Sequence, residues 1–239
     1  MVKNAILGEG GEPATAARPA DEGAATASVA ARMARRAVAR REASYADEVR
    51  RLLEAGLEVM RRSGTTTSPR VADIVRQAGL SNDAFYRHFA GKEELVAAIV
   101  DAGAERLVGY LAHQMGKEAT PEAQIGCWIG GIMAQAADPD LAEPTRAVLW
   151  NGGRAGDAAR RDDRSTFGPL ARLLDAPLTG LGRPDPDRDA GVIVQAVMGR
   201  MQDFLWRRVQ PGPADVAHLI TFCLTGLGVG TPRGPAAPP

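Results

Sequence analysis

The chain has 239 residues, of which 29 are basic and 29 acidic, and 45% of it is apolar. It is therefore no polycation and no highly charged disordered tail, and it has enough apolar material for a small domain and a larger one. Its two cysteines, Cys127 and Cys223, lie far apart in apolar surroundings without a CxxC or a neighbouring histidine. That pattern excludes a disulfide scaffold or thiolate metal site and reads as two buried, reduced thiols, with a redox pair as the alternative.

Met1 to about Ala27 is rich in Ala, Gly, Pro and small polar residues and has no periodicity. It reads as disordered. Lys3 is followed by no apolar core, so no signal peptide is expected, and no apolar run reaches the ~18 residues of a membrane span. A cytoplasmic protein is the expectation. Next come Arg32, Arg35, Arg36 and Arg40, with Arg41 beside them. At i, i+3, i+4 and i+8 the first four would share one helical stripe. They either follow DNA phosphates or the minor groove, or stay solvated.

The spacing predicts a first firm helix over Tyr45–Ser63, with Val49, Leu52, Leu53, Leu57 and Met60 inward and Gly64 as its stop. After the polar linker Thr65–Pro69, Val71, Ile74, Val75 and Ala78 give a short second helix an apolar face, and Gly79 ends it. Leu80 plugs the corner and Ser81 caps a third helix. In that helix Ala84, Phe85 and Phe89 point inward, while Asn82, Asp83, Tyr86 and Arg87 point out. So short a helix is not stable alone. A packed back and a polar, aromatic-bearing front suit the DNA major groove; an ordinary helical hairpin in an all-α core is the competing reading. A fourth helix follows from Lys92 to about Gly116, with Leu95, Ile99 and Leu107 inward. Charge supports the DNA reading, since Ser28–Val100 holds 13 Lys/Arg against 9 Asp/Glu, and the remainder from Asp101 holds 14 against 16.

The stretch from Tyr45 to about Leu107 resembles the DNA-binding domain of the TetR family of transcriptional regulators. Val71, Asp73, Ile74, Ala78-Gly79-Leu80-Ser81, Phe85-Tyr86, His88-Phe89 and Lys92-Glu93-Glu94-Leu95 carry the resemblance. Thr65 after Gly64, where the family often has an aromatic, and Val75, where it usually has Ala, depart from the pattern. The resemblance implies an all-α protein: a three-helix helix-turn-helix head and a C-terminal helical body for ligand binding and dimerisation. The expected divisions are a disordered, partly basic arm over 1–44, the head over 45–107, the body over 108–228 and a disordered tail over 229–239. Asn82 and Asp83 are the candidates for base edges. Tyr86, His88 and Lys92 are candidates for phosphates, with Arg70 assisting, Ser81 at the helix start and Arg87 able to do either.

In the body, helices are predicted over Pro121–Ala137, Leu141–Trp150, Ser165–Leu174, Asp187–Val209 and Pro213–Leu227. Asn151–Asp163 and Asp175–Pro186 read as loops. The last two helices have broad apolar surfaces that suit a two-fold, four-helix interface between copies. The resemblance further implies a body pocket for a small effector, apolar or amphipathic, with Trp128, Met133, Trp150, Phe167 and Gln195 as candidate lining; each alone reads more readily as core or interface packing. No cofactor is expected. His88, His113 and His218 are too scattered for a metal, Gly226–Gly230 lacks the strand and helix of a phosphate loop, and Asp162, Asp163, Asp185 and Asp187 read as solvated loop acids. Together these point to a ligand-responsive repressor that binds a palindromic duplex operator as a homodimer, and away from an enzyme. An activator of the same fold, or an all-α interaction protein without DNA binding, are the alternatives.

Overall fold

A computed structural model describes residues 19–159 and 167–229, with side chains over 31–153 and 167–229. The expectations for residues 1–18, for Asp162 and Asp163 and for the tail beyond Val229 lie outside the described residues. The chain divides into two units, Met1–Asp47 and Glu48–Pro239. The described secondary structure is helical throughout, as expected for an all-α protein.

The first unit is the N-terminal part of helix α1 (Pro19–Ser63). The helix begins at Pro19, not at Tyr45, so residues 19–44 are not the structureless arm anticipated. Alanine, the strongest helix former, recurs between Ala20 and Ala39 and accounts for this. Every residue from Ala31 to Asp47 is exposed.

The second unit holds the rest. Glu48–Ser63 of α1, α2 (Val71–Ala78), α3 (Asn82–His88) and the first half of α4 (Lys92–Met115) enclose one apolar cluster, built on Leu52, Met60, Ile74, Phe85, Leu95 and Ile99. The second half of α4 enters a separate cluster through Leu111 and Met115. There it meets α5 (Pro121–Ala137), α7 (Gly168–Arg172), α8 (Asp175–Gly180), α9 (Pro186–Arg207) and α10 (Pro213–Gly226). α5 is the hub, and α4, α6 (Pro139–Ala159), α8, α9 and α10 all lie against it.

Two body segments differ from the sequence reading. α6 runs over Pro139–Ala159, through the glycines that suggested a loop. A Cβ on Gly152 would stand 3.0 Å from Val100 Cγ2, so the glycine lets α6 lie close on α4. Tertiary packing outweighs the poor helix propensity. Asp175–Gly180, read as a loop, forms α8, whose Pro177 and Leu178 are buried. α6 also places Ala147, 1% exposed, in the apolar cluster of α1–α4, so that cluster is completed by a residue beyond the end of α4.

Candidate nucleic-acid interface

The turn between α2 and α3 is fixed by backbone chemistry. Gly79 adopts the left-handed conformation, φ 64° and ψ 37°. Its N–H donates to Arg76 O and that of Leu80 donates to Val75 O at 2.9 Å, so the last carbonyls of α2 are satisfied. Arg51 completes the closure, donating from Nη2 to Ala78 O and to Gly79 O at 3.1 Å. At the next helix, Ser81 Oγ accepts from Ala84 N–H at 3.1 Å and caps α3.

α3 is thereby presented with one dry side and one wet side. Ala84 and Phe85 are buried, and Phe85 packs against Phe89 at 5.8 Å between ring centroids. Ser81, Asn82, Asp83, Tyr86 and Arg87 are exposed together, with Tyr86 59% accessible. Arg70, at the start of α2, is exposed as well. Lys92 is half-buried at the first position of α4, with Nζ 3.9 Å from Glu93 Oε1. Glu94 reaches back to accept from Ala90 N–H at 2.6 Å, which ties the start of α4 to the end of α3.

His88 departs from expectation. Its side chain is fully enclosed, with Nε2 2.6 Å from Glu48 Oε2 on α1, so it cannot take a phosphate and belongs to the support of α3. Arg87 also leans toward Glu48, at 3.7 Å. The hydrogen bond from His88, aided by the charges of Arg87 and Arg51, holds the Glu48 carboxyl below its ordinary range against the opposing effect of burial. Glu48 and Arg51, one turn apart on α1, thus hold α3 and the end of α2. Sequence reading passed over both, because their partners lie 40 and 27 residues away and no local pattern pairs them.

In the body the five candidate pocket residues do not form one lining. Trp128 is fully buried and donates from Nε1 to Leu170 O at 3.1 Å; Met133 is buried beside it in the core. Trp150 and Phe167 are half-buried, and Phe167 packs against that core. Gln195 is exposed on α9 and faces away from it, because the 3.6-residue period places it with Val192 and Gly199 on the helix's outer side.

A tight turn followed by a short capped helix that offers a polar face is the arrangement of a helix-turn-helix motif. Residues 52–99 match the model described as bacterial regulatory proteins, tetR family. The fold is shared with solved structures. One is a Mesorhizobium loti protein assigned to the TetR family of transcriptional regulators: 17% identity, TM-score 0.56, covering 77% of this chain and 95% of that one. A second, described as a transcriptional regulator of Pseudomonas aeruginosa, has 21% identity and TM-score 0.58, covering 76% and 90%. A third is the fatty acid degradation regulator FadR of Bacillus halodurans, with 18% identity and TM-score 0.54, covering 78% and 96%. At these identities the likeness is one of fold. No curated protein matches the chain. No described helix is long and apolar enough to cross a membrane.

Proposed function

We propose that the protein is a ligand-responsive transcriptional repressor that binds a palindromic operator as a homodimer, with α3 in the major groove. The observation that supports this most is the two-sidedness of α3: Phe85 fully buried behind it, and Asn82, Asp83, Tyr86 and Arg87 exposed together in front. Asn82 and Asp83, in the first turn, take base edges. Tyr86, Arg70 and Lys92 take phosphates, Arg87 takes either, and Ser81 sets the helix start. His88 acts only by holding α3 in place.

Dimerisation runs through α9 and α10. Val192 and Trp206 on α9 and Phe222 on α10 are 66%, 45% and 66% exposed, an unusual outlay of large apolar groups on two helices that pack on one hub. A second copy of the same surface covers them isologously, and two heads about one helical turn apart then read a palindrome. The effector is an apolar or amphipathic small molecule held by the body, near Trp128, Met133, Trp150 and Phe167. It lowers operator affinity by preferring a dimer whose heads no longer match the half-site spacing, which requires a real affinity difference between the two states. Selection of bound duplexes from a random pool tests the proposal. A two-fold repeat is the expected product; a pool without enrichment, or a lone unrepeated half-site, overturns it.

A further inference from the structure

We propose that the arginine face of α1, from Arg32 to Arg40, is a second duplex-contacting surface that grips phosphates without reading bases. The proposal rests on the reading that the head binds DNA.

The first ground is exposure: no residue from Ala31 to Asp47 is even half-buried. The second is charge. Residues 31–41 contain five arginines and no carboxylate, and the next acids are Glu42 and Asp47. Elsewhere the chain habitually pairs its surface arginines within one helical turn: Arg50 with Glu54 at 2.9 Å, Arg61 with Glu58 at 2.9 Å, Arg188 with Asp185 at 3.4 Å and Arg200 with Asp203 at 2.9 Å. For Arg32, Arg35, Arg36, Arg40 and Arg41 no carboxylate lies within the 4.0 Å of an ion pair among the described residues. Like charges at Arg32/Arg36 and Arg36/Arg40 disfavour a helix. An external polyanion relieves that repulsion.

The third ground is shape. On the helix, Arg32, Arg35, Arg36 and Arg40 share one face. At 1.5 Å per residue the stripe is ~12 Å long, a length over which a duplex offers about seven phosphate charges. Guanidinium groups bind phosphate oxygens bidentately. The opposite face carries alanines and Arg41, flanked by exposed Met33 and Val38, but no Trp, Phe or Leu, too little apolar bulk to anchor a helix in a lipid surface. Duplex DNA is therefore the partner that fits.

The test uses the full chain and the operator duplex found by selection. Arg32, Arg35, Arg36 and Arg40 are changed together to alanine, which preserves the helix. Affinity is measured against salt for the operator and for an unrelated duplex. Each arginine removed from a phosphate should lower the slope of log K against log salt by about 0.9, so a fall of about 2–4 per protomer is expected, equal on both duplexes. The corresponding four lysines should restore most of the slope. An unchanged slope, or a loss confined to the operator, overturns the proposal. So does retained duplex binding with loss of binding to phosphatidylserine vesicles, which would make the partner a membrane. A wild-type chain that binds no duplex fails the head reading itself; a wild type that binds while the quadruple variant keeps its slope fails this proposal alone.

Discussion

Phe85 and Tyr86 are neighbours in sequence with opposite assignments, and their substitution by alanine discriminates between them. Phe85 is fully buried. Its truncation removes an aromatic ring from the cluster formed by α1–α4 and leaves a cavity, at a cost of about 3–5 kcal/mol. That is a large share of the ~5–15 kcal/mol that holds a typical domain together. Tyr86 is 59% exposed and touches the core only through an edge contact with Phe85, 5.3 Å between centroids at 83°. Its truncation should cost no more than the ~0.5–1.5 kcal/mol of such a contact. DNA affinity should move the other way. A phenol bound to a phosphate contributes about 1.5–3 kcal/mol, so Tyr86→Ala should lose operator affinity roughly ten-fold or more while the fold survives. Urea unfolding at fixed protein concentration reads stability, with an unchanged m-value showing that the same surface unfolds. Fluorescence anisotropy with labelled duplex reads affinity. Equal destabilisation by the two variants, or a Phe85→Ala shift under about 1 kcal/mol, would mean that α3 is turned the other way and its supposed front is not available.

Lys92→Ala should weaken binding to every duplex alike and lower the salt slope by about 1; an unchanged slope in a salt titration removes Lys92 from the contacts. Changing Asn82 to Ala should instead alter the base preferred at one operator position, and a uniform loss across a panel of operator variants contradicts its base-reading role. Phe222→Glu should yield a monomer by sedimentation and abolish binding to the full palindrome, and a sedimenting dimer refutes the α9–α10 interface. The Glu48 carboxyl titrates below its ordinary value of 4.5 in the folded chain. Its contribution is therefore complete above about pH 4.5 and disappears as pH falls through the lower folded value. Glu48→Gln should flatten that acid-side decline in unfolding experiments, and an identical decline in both proteins refutes the His88–Glu48 pairing.

Local chemistry wrote much of the head into the sequence. The apolar stripe of α1, the left-handed Gly79, the Ser81 cap and the inward Phe85 each follow from periodicity or from one residue's conformational preference, and all stand where the pattern puts them. The starts of α5 and α10 were equally readable, because Pro121 and Pro213 sit in first turns where a missing N–H costs nothing, whereas Pro186, read as the last residue of a loop, is the first of α9. What the pattern could not supply depends on partners remote along the chain. His88 looks like a surface cation until Glu48, 40 residues earlier, is seen to face it. Gln195 looks like a pocket residue until the turn of α9 sends it outward. Gly152 and Gly153 look like a loop until Val100 is found lying against the helix. Sequence periodicity says which side of a helix is apolar, but only the packed chain decides what that side meets, since the neighbour that buries or pairs a residue is chosen by the fold and not by adjacent residues.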